Sequence, residues 1–316
     1  MMNNIGFALN LITLVVSILT CLISFIIFIN IIYYLFHNRM NQEDKVTIIH
    51  CANIYPLIFT FTGILVTFSI QSLLGDLYEK ESSVSPWCIF AAYIFPVLCT
   101  TLYWAFVNQA IFRLCRIVYS TRRWLQNFRL YVIIPPIQFI FICALQCPVL
   151  FWHDIVYLPQ EYYCYIPYTN IRGILWSILN AYGNPVLILL FIYLRITIFL
   201  RRQPVNQTLL VKKRQERDLL VIRRIFITVG LLLTLGLPSL VLLIMLSITG
   251  EESSLFFRIE WLSVSLSMAG LSVALVFITL QLKSIILKKY QRNQVVPPNG
   301  SLAISVPIGI LQPRFQ

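Results

Sequence analysis

Residues 7–36 read FALNLITLVVSILTCLISFIIFINIIYYLF, a run of about 30 residues without a charged side chain. An α-helix needs only about 20 apolar residues to cross a hydrocarbon core roughly 30 Å thick. A cleavable signal peptide would instead begin with basic residues and have an apolar core of only about 7 to 15 residues. The first basic residue here is Arg39, after the run has ended. The run therefore predicts a membrane-spanning helix.

Six further apolar runs follow, separated by short charged stretches. They cover residues 46–74, 88–112, 131–152, 173–200, 219–248 and 256–282. Each run is continuously apolar, whereas a strand of a membrane β-barrel would alternate apolar and polar residues. This excludes the closed β-barrel, the other backbone arrangement that lipid permits. Only 11% of the 316 residues are charged, whereas a soluble domain has about 25%. We therefore predict an all-α membrane protein, a bundle of seven transmembrane helices.

Basic residues are distributed unevenly between the two sides of this predicted bundle. Of the 24 Lys and Arg residues, all but Lys80, Arg172 and Arg258 fall on the side that also carries the C-terminal tail. Because basic loops remain in the cytoplasm, the N-terminus is predicted outside and the C-terminus inside. The net charge of +12 thus flanks the spans instead of covering one soluble face, which argues against a nucleic-acid partner.

The chain is predicted to form one domain with two short tails. Residues 1–6 are the extracellular tail, residues 7–290 the seven-helix domain and residues 291–316 a disordered cytoplasmic tail. Apolar residues alternate with lysines over residues 282–291, a composition typical of a short helix that lies in the membrane interface. The basic cytoplasmic loops are expected to contact anionic membrane lipids.

Two of the eight cysteines, Cys88 and Cys164, fall on the predicted outer side, where thiols are oxidised. They either form a disulfide that holds the loop after the fourth run over the bundle or remain two unrelated thiols. The sequence cannot settle connectivity, although we favour the bond. The three histidines are dispersed, and no catalytic, metal-binding or phosphate-binding motif occurs. We predict neither enzyme activity, nor a metal, nor a cofactor.

Several single residues stand at regular distances on these runs. Arg113 follows Cys88 by 25 residues, at the cytoplasmic end of the third run. Tyr193 follows a proline of the fifth run by eight residues, and Asp218 precedes a proline of the sixth run by 20 residues. Proline bends a helix because it removes one backbone hydrogen bond. The prolines expected to bend the fourth, fifth and sixth helices are Pro148, Pro185 and Pro238.

On these residues the chain resembles the rhodopsin-like (class A) G-protein-coupled receptors, over nearly its whole length. The resemblance implies the Cys88–Cys164 disulfide and a switch for the G protein formed by Arg113, Tyr193 and Asp218. Departures from the family pattern put its usual activation mechanism in doubt. Helix two has no aspartate and helix seven has no NPxxY motif. Phe112 and Leu114 stand in the places of the helix-three acid and tyrosine. Gln138 and Gly236 stand in the places of the tryptophans of helices four and six.

The resemblance implies a multi-pass receptor of the plasma membrane that transmits binding of an extracellular ligand to a heterotrimeric G protein. Its ligand cavity is expected beneath Cys164, near Phe95, Tyr103 and Glu260. Phe95 stands where amine receptors of the family carry an aspartate, which argues against a monoamine held by helix three. Eight acidic and three basic residues fall on the predicted outer side, a balance that favours a cationic peptide.

Two other functions are compatible with seven spans. A transporter or channel would need a polar pathway, which the Leu-rich, Ile-rich and Phe-rich runs do not display. A receptor relic that no longer signals would explain the missing switch residues. If signalling is retained, Arg113 is expected to pair with Asp218 in the resting state. The alternative is a surface ion pair between Asp218 and Arg214, one helical turn earlier.

Overall fold

The computed structural model describes residues 4–37, 42–78, 85–119, 123–202, 230, 233–234, 236–246, 248 and 255–278. Two short antiparallel strands lie between the fourth and fifth helices, β1 (Val156–Leu158) and β2 (Tyr163–Tyr165), with Tyr157 opposite Cys164. A 3₁₀ turn, Arg123–Gln126, precedes the fourth helix. The helices are α1 Asn4–His37, α2 Gln42–Tyr78, α3 Pro86–Ile117, α4 Phe128–Phe151, α5 Ile171–Arg201, α6 Gly236–Leu246 and α7 Phe256–Ile278.

Six of these helices, all except α6, are long and apolar enough to cross a membrane. The shorter α6 is also apolar and falls inside the predicted run 219–248, most of which lies outside the described residues. The chain is therefore a multi-pass helical membrane protein, as predicted. Seven crossings and the orientation of the termini remain predictions. The proposed interfacial helix at 282–291 and the tail at 291–316 lie outside the described residues.

The polarity of α1 is reversed relative to a helix of a soluble protein. Its leucine, isoleucine and phenylalanine side chains are mostly exposed, while small polar side chains face the bundle. This is the arrangement expected in lipid, where apolar side chains face the tails and small polar residues let helices approach closely. Ser24 lies 3.3 Å from Ser272 of α7, oxygen to oxygen. The buried polar side chains of α1 are Asn10, Thr13, Ser17, Thr20 and Ser24.

Helix α3 lies at the centre of the bundle, in contact with α2, α4, α5 and β2. In its most apolar 18-residue stretch 72% of residues are buried, compared with 17% in α4. The helix begins sharply because the Ser85 side chain accepts a hydrogen bond from the Cys88 N–H and Pro86 occupies its first turn. Since α3 extends from the disulfide to Arg113, we call the two ends of the bundle the hairpin end and the Arg113 end.

Gln138 of α4 makes a polar link to α3. Its Oε1 accepts a short hydrogen bond from Asn108 Nδ2, and its Nε2 donates to the Thr101 carbonyl at 3.2 Å. Both side chains lie between packed helices, where an amide without partners would be costly. The two hydrogen bonds of Gln138 therefore join α4 to α3.

Helix α5 contains a π-helical turn, Leu179–Gly183, just before Pro185. The Asn184 N–H bonds to the Leu179 carbonyl, five residues earlier. Proline has no N–H to continue the usual pattern, and the extra residue of a π turn accommodates this gap. Pro148 lies in the last turns of α4 and Pro238 near the start of α6. Bending of α4 and α6 at these two prolines stays a prediction.

Candidate ligand cavity

A disulfide fastens the β1–β2 hairpin to the centre of the bundle. Cys88 of the first turn of α3 is bonded to Cys164 of β2, 76 residues away, with 5.4 Å between the two Cα atoms. The pairing implied by the family resemblance is thus present. A bond that closes a loop of this length is worth about 4 kcal/mol in the chain-entropy model. It holds the hairpin across one end of the helices.

A buried ion cluster fastens the same hairpin to α2 and α7. Arg258 of α7 makes two hydrogen bonds to Asp76 near the end of α2, at 2.9 Å and 3.0 Å, and its Nε contacts Glu161 between the two strands at 3.2 Å. Gly6 of α1 makes room for this guanidinium, since a Cβ there would lie 2.6 Å from Arg258 Nη1. Sequence counting placed Arg258 on the outer side, at the start of the seventh run, but did not predict that its side chain is buried, at 8% exposure.

One guanidinium cannot neutralise both carboxylates of this cluster. Burial raises the pKa of Glu161 to about 7, the Asp76 charge acts in the same direction, and Arg258 opposes both. Glu161 is the more enclosed of the two acids, with side-chain exposures of 3% for Glu161 and 13% for Asp76. Desolvation disfavours the charged form of an acid. Glu161 therefore takes up a proton more readily than an exposed glutamate.

An aromatic layer lies beneath the hairpin. The Tyr163 ring stacks on Phe68 of α2 with centroids 4.8 Å apart, and Tyr163 Oη accepts a hydrogen bond from Trp261 Nε1 at 2.6 Å. Phe95 of α3 contacts Trp261 and Tyr165 at 5.1 Å and 6.0 Å between ring centroids. Such pairs add about 0.5 to 1.5 kcal/mol beyond the area they bury. This layer packs the hairpin against three helices.

A cavity lies between α3, α5, α6, α7 and the segment that follows β2. It holds about 490 Å³ of empty space, its open mouth included. Side chains of all five elements form its wall, among them Phe95, Tyr168, Ser177, Tyr182, Ser239 and Glu260.

Glu260 supplies a buried carboxylate to this cavity. Its side chain accepts hydrogen bonds from the Tyr168 hydroxyl at 2.6 Å and from the Ser239 hydroxyl. Within the described part of the chain, Glu260 makes no ion pair with a Lys, Arg or His side chain. The cavity thus contains a buried acidic group whose two recorded partners are neutral.

Tyr182 of the π turn forms the cavity wall next to α6. A Cβ on Gly236 would lie 2.8 Å from the Tyr182 ring, so the ring fits only because residue 236 has no side chain. The Tyr182 ring also meets Tyr103 of α3 edge to face, with centroids 5.0 Å apart. An aromatic ring from α5 therefore fills the space beside Gly236.

The predicted cavity residues are brought to one region, although not all line the cavity. Phe95 and Glu260 form part of the wall, and Tyr103 lies behind Tyr182. Ser177 and Tyr182 were not singled out from the sequence. One available signal was the stretch EYYCYIPY at residues 161–168, since four tyrosines around the disulfide cysteine indicate an aromatic cover over the bundle.

The predicted switch residues lie at the opposite end of the bundle. Arg113 of α3 is close enough to His50 of α2 and Tyr193 of α5 for its charge to act on both. The neighbouring Phe112 packs against Tyr131 of α4 with ring centroids 5.0 Å apart. Asp218, the predicted partner of Arg113, lies outside the described residues.

The fold and the cavity define a class, a multi-pass helical membrane protein with a covered cavity between its helices. Within the described residues, no three His, Cys, Asp or Glu side chains converge as ligands for a metal. No family model matches the chain, and no curated protein matches it.

Proposed function

We propose that this chain is a seven-helix receptor of the plasma membrane that couples an extracellular ligand to a heterotrimeric G protein. The observation that supports this function best is the course of α3. The helix contributes Phe95 to the cavity wall and carries Arg113 at its other end. A ligand in the cavity therefore touches the same helix that bears the predicted G-protein contact.

The proposal needs two bundle arrangements that bind the ligand with different affinity. The cavity wall comes from α3, α5, α6 and α7, so a ligand can favour one packing of these helices over another. The contact between Tyr182 and Gly236 sets how closely α5 approaches α6 at the cavity wall. Movement of this contact would change the position of α6 relative to α3 and α5.

Membrane orientation follows from the distribution of basic residues. With the N-terminus outside, the cavity opens to the extracellular side and Arg113 faces the cytoplasm. The run 219–248 then supplies the sixth of seven crossings. The short α6 belongs to this run.

The cytoplasmic switch of the proposed receptor uses Arg113 in two ways. The Phe112 side chain cannot accept a hydrogen bond from Arg113, as an acid at that position would. In the resting state Arg113 therefore pairs with Asp218, and this pair holds helix six inward. After ligand binding, Tyr193 takes over the contact with Arg113. The proximity of Arg113 and Tyr193 supports this second step.

The direct test is guanine-nucleotide exchange by a panel of purified heterotrimeric G proteins added to the full chain in lipid nanodiscs. We expect basal exchange with at least one heterotrimer, a loss of most of it in Arg113→Ala, and a rise in Asp218→Asn. Arg129→Ala removes an exposed arginine elsewhere at the Arg113 end and should leave exchange unchanged.

Two results would contradict the proposed function. The first is exchange that is equal in the wild type and both switch variants at equal protein levels. The second is the absence of exchange with every heterotrimer, which would favour the receptor relic. Solute flux in proteoliposomes without any exchange would instead identify the transporter or channel.

A further inference from the structure

We propose that the cavity binds a small organic cation, a protonated amine on an aromatic or other apolar body, and that its ammonium group pairs with Glu260. This ligand class deepens the proposed receptor function and rests on it for its biological meaning. Binding itself requires only the cavity and can be measured without a G protein.

The first argument is that Glu260 is a buried acid whose ionised form no cationic side chain of the described residues compensates. The residue is 6% exposed and its recorded partners are two neutral hydroxyls. A buried carboxylate is costly unless an opposite charge compensates it. Each oxygen accepts one recorded hydrogen bond and keeps a lone pair for another donor. An ammonium group is the ligand group that supplies both the donor and the opposite charge.

The second argument is the aromatic wall. Phe95, Tyr165, Tyr168 and Tyr182 all line the cavity that contains Glu260. The faces of aromatic rings attract cations, most strongly where water is excluded. The same rings present apolar surface to an uncharged ligand body. One acid and four rings in a single cavity thus match a cation that carries an apolar group.

The third argument concerns size. Tyr165, Ile166 and Tyr168 line the cavity from the segment beginning in β2, and the disulfide and the Arg258 cluster hold that hairpin in place. A cover fastened at several points favours a small ligand over an inserted peptide chain. Three predicted outer acids are already ion-pair partners of arginines within the chain, namely Asp76, Asp154 and Glu161. Fewer outer acids are therefore left for a cationic peptide than the count of eight indicates.

A fourth observation refines the ligand. Ser177 of α5 lines the cavity, and its hydroxyl is buried without a hydrogen-bond partner in the described part of the chain. Glu260 lies on α7, in a different wall. A ligand that reaches both walls can place a hydroxyl group at Ser177 while its ammonium group contacts Glu260. We therefore expect a polar substituent away from the amine to strengthen binding.

The test measures the melting temperature of the purified full chain with three probes at about 1 mM, since a ligand that binds the folded state raises that temperature. The probes are 2-phenylethylamine, its para-hydroxylated analogue tyramine, and the uncharged 2-phenylethanol. We expect both amines to raise the melting temperature by several degrees, tyramine more than 2-phenylethylamine, and the alcohol to have no effect.

Three variants assign the contacts. Glu260→Gln should weaken binding of both amines about 10- to 100-fold, the usual cost of losing a charged hydrogen bond. Ser177→Ala should weaken tyramine alone. Asp154→Asn removes an acid that pairs with Arg172 outside the cavity and should change neither affinity. If Glu260→Gln fails to fold, the proposal is still tested by comparing how much the amines and the alcohol raise the melting temperature of the wild type.

Four results would overturn the proposal. They are equal stabilisation by alcohol and amines, undiminished amine binding in folded Glu260→Gln, no stabilisation by either amine, and stabilisation by a nine-residue polyarginine peptide alone. If the wild type shows nucleotide exchange but binds neither amine, only this ligand class is overturned. Amine binding without nucleotide exchange would overturn only the proposed signalling function.

Discussion

At the scale of single residues, the buried charges at the hairpin end fall into two kinds. Asp76, Glu161 and Arg258 form a cluster that ties α2, the hairpin and α7 together. Glu260 faces the cavity with only hydroxyl partners. Removing one member of a buried ion pair typically costs about 3 to 5 kcal/mol. The cluster thus has a structural role, while the isolated acid is available to a ligand.

The Arg258 cluster predicts a pH dependence of stability. The pKa of Glu161 is about 7 in the folded protein and 4.5 for the free side chain. Between these values the folded state holds a proton that the unfolded state has lost, so stability falls as pH rises, by at most roughly 1.4 kcal/mol per pH unit. We expect the melting temperature of the wild type to fall between about pH 5 and pH 7 relative to Glu161→Gln.

Comparison with Glu161→Gln isolates this one group, because all other titrating residues are common to both proteins. The glutamine keeps the size of the side chain and has no titration. The assignment would be contradicted if the melting temperatures of the two proteins changed in parallel with pH across this interval. It would also be contradicted if the melting temperature of the wild type rose with pH relative to that of Glu161→Gln.

Residue-level prediction succeeded where position along the chain was sufficient. Cys88 and Cys164 could be selected because only they fall on the predicted outer side. The burial of Arg258 was not predicted, because charge counting gives the side of the membrane and not the depth of a side chain. Its contacts come from Gly6, Asp76 and Glu161, which are too distant in sequence for any local pattern to connect them.

At the scale of elements, the hairpin depends on a glycine of α2. A Cβ on Gly75 would collide with the ring of Tyr162, next to β2, whereas a Cβ on Gly63 of the same helix meets nothing within 4 Å. Gly75→Ala should therefore destabilise the protein by about 1 to 3 kcal/mol through overpacking. Gly63→Ala should stabilise it by up to about 1 kcal/mol, the helix-propensity gain.

Thermal unfolding of the two variants in the same detergent measures this difference. Because both substitutions exchange glycine for alanine within α2, their opposite signs isolate the contact with the hairpin. Equal effects of the two substitutions would show that the Tyr162 ring does not rest on Gly75.

Helix positions were predictable from apolar runs, because lipid requires continuous apolar length. The run 88–112 corresponds to α3 at Pro86–Ile117, and the run 173–200 to α5 at Ile171–Arg201. The helices are longer because they continue past the hydrocarbon core. The π turn and the hairpin were not predicted, since both depend on packing between segments far apart in sequence.

At the scale of the whole molecule, α3 connects the two functional regions proposed for this chain. The disulfide, the Arg258 cluster and the aromatic layer fix the hairpin over the cavity, while the charge of Arg113 acts on Tyr193 at the other end. Gln138 and Gly236 make local contacts that join α4 to α3 and bring α5 close to α6. An extracellular ligand can act on a cytoplasmic partner only if the membrane separates these two ends.

The membrane topology is therefore the most direct measurement. Short epitope tags are placed at the N-terminus and at the C-terminus of the full chain, and antibody binding is measured on intact and permeabilised cells. Seven crossings with the cavity outside predict that the N-terminal tag is bound on intact cells and the C-terminal tag only after permeabilisation. Both tags on the same side, or the C-terminal tag alone on intact cells, would contradict the proposed receptor.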